Sequence, residues 1–220
     1  MSVVIPTLNE VKTIRSVIES VRKICPGAEI IVVDGQSSDG TAEEARRAKA
    51  DNVITLKQKG YGKAIRTGLD SSSRPIAVMV DGDATYDLTT LPELVQLARG
   101  GGVGIGCRFH SKPQAMSVSR YVGNKIISIV LHALGISVAD SQSGLKSFPM
   151  TLSKFLVEEG MAFSTEVLLQ GKAHGLKITE VTTKVYRPRS EGSASKLKVV
   201  RDGLSILSFI LREAPRMLHR

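Results

Sequence analysis

Apolar residues follow two rhythms along this chain. Unbroken runs at Ser2 to Pro6, Ile30 to Val33, Val53 to Leu56 and Ile76 to Val80 read as short buried strands. Between them apolar residues recur at helical spacing. Val11, Ile14, Val17, Ile18 and Val21 give one helix an apolar face that ends at Pro26-Gly27, and Ala64, Ile65 and Leu69, then Leu91 to Ala98, mark two more. Thr41 is placed to cap a helix carrying Glu43 and Glu44 in its first turn, where the helix dipole favours acids. Strand, loop and helix in short alternation predict an α/β fold, a mostly parallel sheet flanked by helices. Ligands of such sheets bind outside the carboxyl ends of the strands, and Glu10, Asp34, Asp81 and Asp83 all fall there.

After Gly100-Gly-Gly the pattern changes. Val103 to Cys107 predicts a strand ending at Arg108, and Ser119 to Leu134 a helix with a wide apolar face. Asp140 to Lys146 reads as a turn into a short strand, Phe163 to Ala173 as a helix carrying Glu166, and Lys177 to Arg187 as a last strand. A basic loop, Pro188 to Lys196, precedes a helix over Val199 to Leu218 with Leu204, Leu207, Leu211 and Leu218 on one face. The expected organisation is one catalytic domain over residues 1–197 and a C-terminal amphipathic helix over 198–220.

Composition narrows the partners. A net charge of +9 over 220 residues points to anionic ligands or an acidic membrane surface. Aromatics make up only 4% and Trp is absent, which argues against a nucleic-acid partner because base-stacking platforms are scarce. Cys25 and Cys107 lack metal-ligand spacing and suit a reducing compartment, and the four histidines form no metal pattern. The first strand leaves no room for a signal peptide, and no apolar run approaches the roughly 18 to 20 residues that span a bilayer.

The chemistry centres on Asp81-Gly82-Asp83. Two carboxylates one residue apart at a strand end make a hard-oxygen site suited to Mg²⁺ or Mn²⁺ carrying a diphosphate. Asp34 reads equally as a ligand for a ribose or base and as the cap of its own turn. Gly60-Tyr-Gly62-Lys63 lacks phosphate-loop spacing and reads as a tight turn before a helix. Glu166 is either a paired structural acid or a site acid. Arg108, Arg120, Arg187, Arg189 and Lys196 each suit a solvated surface, but together suggest an anion-binding second half-site.

Taken together, Ile5-Pro6-Thr7-Leu8-Asn9-Glu10, Val32 to Thr41, Gly60-Tyr-Gly62-Lys63-Ala64, Val80-Asp81-Gly-Asp83, Gly106-Cys-Arg108, Ser119-Arg120 with Asn124, Asp140-Ser-Gln-Ser143-Gly144, Glu166, and Arg189-Ser-Glu-Gly192 with Ser195-Lys196 resemble glycosyltransferase family 2, and within it the polyprenyl-phosphate sugar synthases similar to dolichol-phosphate mannose synthase. The resemblance implies a GT-A type fold with a Rossmann-like nucleotide-binding half and an acceptor half. It implies that Pro6, Thr7, Glu10, Asp34 and Lys63 line the nucleotide, that Asp81 and Asp83 hold the metal and diphosphate, and that Arg108, Arg120, Arg189 and Lys196 hold phosphates. Asp140 or Glu166 would orient the acceptor or a sugar hydroxyl. The reaction implied is inverting transfer of a hexose from a UDP- or GDP-sugar to a polyprenyl (dolichyl) phosphate, with a saccharide or protein hydroxyl as the alternative acceptor. A non-catalytic nucleotide- or nucleic-acid-binding protein is the remaining alternative. Gly82 and Thr85 stand where the mannose synthases carry Ala and Gln, and Gly35 where relatives carry a second acid, so the sugar is left open. The expected location is the cytoplasmic face of a membrane. The apolar faces of the helices at Ser119 to Leu134 and at the C-terminus would dock on that surface, or else pack in the core or a homodimer.

Overall fold

The four apolar runs of the first half become β1 (Ser2–Thr7), β2 (Glu29–Asp34), β3 (Asn52–Thr55) and β4 (Ile76–Met79). The helices between and after them are α1 (Ile14–Ile24), α2 (Thr41–Arg47), α3 (Tyr61–Asp70) and α4 (Leu91–Arg99). The second half adds β5 (Val103–Cys107), α5 (Val118–Ala133), β6 (Lys146–Pro149), α6 (Phe163–Ala173), β7 (Ile178–Thr182) and α7 (Val199–Leu218). This computed structural model describes residues 1–109, 116–183 and 199–218, so Arg187, Arg189 and Lys196 lie outside the described residues.

One seven-stranded sheet carries the fold, in the order β3-β2-β1-β4-β6-β5-β7. Its pairs are parallel except those of β6, which runs antiparallel between β4 and β5. Alternation sends Val3, Ile5, Ile30 and Val32 to one face, where they pack with α1 and α4. Val4, Ile31 and Val33 face the other way, onto α3, α5, α6 and α7. β3, at the sheet edge, is only half-buried, because it has a neighbour on one side alone.

Two local expectations change. Thr41 is the first residue of α2, with Gly40 at the cap position. Its hydroxyl instead accepts the Glu10 amide at 2.8 Å, tying the loop after β1 to the loop after β2. On α7 the leucines of the predicted face divide, with Leu207 packing half-buried against the core. Ile206, Phe209, Ile210 and Ala214 enter the core, whereas Leu204 and Leu211 are exposed. A helix with apolar residues on two faces hides which of them meets the protein, and here the bulkier, β-branched and aromatic face does so.

Candidate active site

β1 leads to β2 on one side and has β4 on the other, so the chain reverses direction across the sheet at β1. This switch point is where open α/β sheets hold ligands. A cavity of about 310 Å³ lies there, a size suited to a small-molecule site. Pro6, Thr7, Glu10, Asp81 and Asp83 line it from the sheet, while Arg108 and Arg120 line it from the second half of the chain. Seven of the residues singled out in the sequence therefore meet around one space.

The acids are held by specific contacts. Asp83 is almost wholly buried, and its Oδ1 accepts the Thr85 amide at 3.1 Å and the Thr85 hydroxyl at 2.7 Å. Ala84 turns the chain back with φ of 56°, a left-handed conformation that costs an alanine energy and recurs at functional sites. Thr85 thus orients Asp83 and is not among the residues that line the cavity. A side chain at Gly82 would put its Cβ 2.8 Å from Thr7 Cγ2, and the Gly82 carbonyl accepts the Thr13 hydroxyl at 2.8 Å. The glycine that replaces the mannose-synthase alanine is therefore a packing requirement of this chain.

Asp81 is braced from two directions. The Tyr61 hydroxyl donates to its Oδ1 at 3.2 Å, and burial followed by the Asp81 charge pushes that phenol well above its ordinary value. From the other side, Met79 faces Lys146 in the antiparallel β4–β6 register, and extending that register sets Gly144 across from Asp81. A Cβ on Gly144 would lie 2.0 Å from Asp81 Oδ2, so only glycine fits.

Other expected residues sit off the cavity. Asp34 caps its own turn, accepting the Ser37 amide at 2.9 Å and its hydroxyl at 2.5 Å, and Gly35 takes the place at the cavity edge. Lys63 donates to Gln58 at 2.8 Å and stands 4.0 Å from Glu159, while the neighbouring Lys59 lines the cavity. The Gly62 and Lys63 amides donate to the Gly160 and Glu159 carbonyls at 3.1 and 3.0 Å, so the first turn of α3 is engaged by protein. Glu166 fixes that same 157–160 segment by accepting the Val157 and Glu158 amides at 2.9 Å each. Burial pushes its carboxyl up, with the two amides pulling the other way.

Asp140 is spent on structure too. It is fully buried, and Arg108 forks onto it with two side-chain bonds of 2.7 Å while the Arg108 amide adds a third at 3.0 Å. Asn124 donates to it at 2.6 Å. Burial alone would push this carboxyl up, but the guanidinium charge and these bonds outweigh it and hold the group below the usual carboxylate range. Arg189 and Lys196 lie outside the described residues.

Sequence reasoning passed over Tyr61, Tyr86 and Lys146. Tyr86 accepts the Gly144 amide at 2.7 Å and lies under the Arg108 guanidinium, 5.7 Å from the ring centroid. Lys146 is wholly buried and donates to the Ser141 carbonyl at 3.1 Å and to that of Ser143. Burial pushes its ammonium down to about 7 against the opposing pull of Asp140. A lysine next to Leu145 and two residues from Phe148 in a predicted strand was the available signal.

A strand-end acid pair and two arginines line one switch-point cavity of a mixed seven-stranded sheet flanked by helices, the arrangement of a GT-A fold. The sequence matches the family described as glycosyl transferase family 2 over residues 2–155, and the chain belongs to that family. Among similar proteins, glycosyltransferase AglJ of Haloferax volcanii is 36% identical over 95% of this chain and 70% of its own length. A dolichyl-phosphate hexose transferase of the same organism is 31% identical over 86% of this chain and 84% of its own. The low-salt glycan biosynthesis hexosyltransferase Agl6 is 33% identical, and this chain spans only 54% of it. Glucosyl-3-phosphoglycerate synthase of Mycobacterium tuberculosis, crystallised with Mn²⁺, UDP-glucose and phosphoglyceric acid, superposes with a TM-score of 0.78 at 21% identity, over 97% of this chain and 79% of that one. That likeness is one of fold.

Proposed function

We propose that this glycosyltransferase moves a hexose from a nucleotide sugar to a polyprenyl phosphate, with inversion at the anomeric carbon. The observation that carries the reading is the locking of Asp140 by Arg108 and Asn124. A hydroxyl acceptor needs a general base, and Asp140, the acid expected to orient the acceptor, is held as a paired anion. A lipid monophosphate has a second pKa near ~6, so at neutral pH it arrives already ionised and needs positioning more than deprotonation. The hexose transferase relative, whose name specifies dolichyl phosphate, supports the same acceptor.

The donor set fits a divalent metal. Asp81 and Asp83 both line the cavity and offer only oxygen, as Mg²⁺ or Mn²⁺ requires when substrate phosphates and water complete the shell. Among the described residues no group of three or more His, Cys, Asp or Glu could hold an ion alone, which is consistent with a diphosphate sharing it. When bound, the metal would neutralise charge on the departing diphosphate. In the reaction the bond from the anomeric carbon to the diphosphate oxygen breaks as an acceptor phosphate oxygen attacks from the opposite face, through an oxocarbenium-like state. Pro6, Thr7 and Glu10 would hold the donor at the sheet edge, while Arg108 and Arg120 would steady phosphate oxygens. Arg108 comes already oriented by Asp140. Incubation with UDP- and GDP-sugars, Mn²⁺ and polyprenyl phosphate should give a sugar-phosphate lipid. Product on a saccharide hydroxyl alone would overturn the lipid acceptor.

The acceptor reading gains from the outer faces of α5 and α7, which pack together. Val118, Val122, Ile126 and Ile129 of α5 and Val200, Leu204 and Leu211 of α7 are exposed, with Ile129 at 68% and Leu211 at 76%. Arg201, Arg212 and Arg216 are exposed on α7 as well, although Glu213 bonds to the last two. No helix among the described residues is long and apolar enough to cross a membrane. An apolar stripe flanked by arginines suits an anionic bilayer surface. The protein should therefore float with anionic liposomes at low salt, and a Leu204→Glu, Ile129→Glu variant should stay at the bottom of the gradient. Wild-type protein that stays there too would sink the membrane surface as partner.

A further inference from the structure

Lys146 takes no part in the reaction as derived, yet it is a fully buried lysine under the catalytic edge. Burying an ammonium is costly unless its protons are satisfied, and this one is satisfied by main-chain carbonyls of a single loop. The two acceptors, Ser141 and Ser143, bracket the stretch that ends in Gly144. Gly144 in turn lies so close to the Asp81 carboxylate that a methyl group could not be inserted between them. Tyr86 takes the Gly144 amide and fixes the same stretch from above. The strand register places Lys146 opposite Met79, two residues before Asp81, so the lysine and the acid share one pair of strands.

We infer that Lys146 is a positioning residue that clamps the 141–144 backbone against Asp81 and thereby sets where that carboxylate points toward the donor's diphosphate and cation. It touches neither donor nor cation. A methionine at this position keeps the bulk of the side chain but donates nothing to the two carbonyls. The loop then loses its tether from below, and Asp81 loses the wall on its β6 side. Supporting partners of metal-holding groups are typically worth ~10–100-fold in metal affinity.

The inference rests on the assignment of Asp81 and Asp83 to the metal, and the test separates the two. Mn²⁺ is titrated into the full-length protein with UDP present and followed by electron paramagnetic resonance, with circular dichroism and thermal melting on every variant. Lys146→Met should weaken Mn²⁺ binding by ~10–100-fold while the protein remains folded. Gly144→Ala, which pushes directly on the carboxylate, should show the same defect by an independent route. Val21→Ala, a cavity on α1 across the sheet, should lower the melting temperature and leave Mn²⁺ affinity unchanged. Wild-type affinity in a folded Lys146→Met protein overturns the clamp. Should Lys146→Met fail to fold, wild-type affinity in Gly144→Ala does so. Absence of Mn²⁺ binding by the wild type itself overturns the metal assignment, and the clamp with it.

Discussion

Asp83→Ala should abolish sugar transfer while leaving a folded protein. The side chain is nearly inaccessible, and Thr85 supplies two bonds to its Oδ1. Truncation strands the Thr85 hydroxyl, which can rotate, and the Thr85 amide, which cannot, each such loss costing about 1–3 kcal/mol. Activity should suffer far more. With Asp81 and Glu10 the carboxylate lines the cavity, and electrostatic groups of this kind are worth roughly 10²–10³-fold or more in turnover. Denaturant melts paired with product formation would separate the two effects. Asp83→Asn, which keeps the shape and can still accept from Thr85, should recover stability and not activity. Full turnover in Asp83→Ala would refute a metal role for this residue.

Asp140→Asn should be damaging for a different reason. An asparagine in that buried position leaves the Arg108 guanidinium charge without its counter-ion, and breaking a buried pair by removing one partner costs about 3–5 kcal/mol. The variant should therefore unfold at clearly lower denaturant than wild type at pH 7. The pH dependence has a definite sign. Because the folded carboxyl is held below its usual range, its contribution is fully present above the unfolded carboxylate pKa of about 3.9 and is lost as pH falls through the folded value. Wild-type and variant stabilities should thus converge in acid. Equal stability at pH 7 would mean that the pair contributes nothing. A loss of transfer in Asp140→Asn accordingly does not mark a catalytic base, since Arg108 is displaced at the same time. The transfer assay becomes informative only on protein shown to be folded.

The first half of the fold could be read from the chain because its strands are uniform. Four apolar runs, each followed by polar residues and an amphipathic helix, admit few arrangements other than a parallel sheet with a polar carboxyl edge. Glu10, Asp81 and Asp83 were found this way, Pro6 and Thr7 through the family resemblance, and all five line one cavity. The second half resisted for physical reasons. β6 is only four residues long, includes a lysine, and pairs antiparallel with strands far from it in sequence. Local periodicity carries no information about such pairing. Asp34, Asp140 and Glu166 share a further difficulty. A carboxylate that caps a turn, pairs with an arginine or collects two amides looks the same in sequence as one that meets a ligand. Only the identity of its neighbours in space distinguishes them.

One helix gives the protein a practical boundary. Gly203 and Ile206 of α7 line the same cavity as Asp81, and Phe209, Ile210 and Ala214 fill the core beneath β1 and α6. A catalytic unit drawn to stop at residue 197 would lack one wall of its own reaction chamber and would bare apolar surface on α5 and α6, against which α7 packs. Any tag, anchor or partner domain joined to this enzyme at its carboxyl side has to begin beyond α7, and a swap of that helix between relatives would be a change to the active site as much as to the surface.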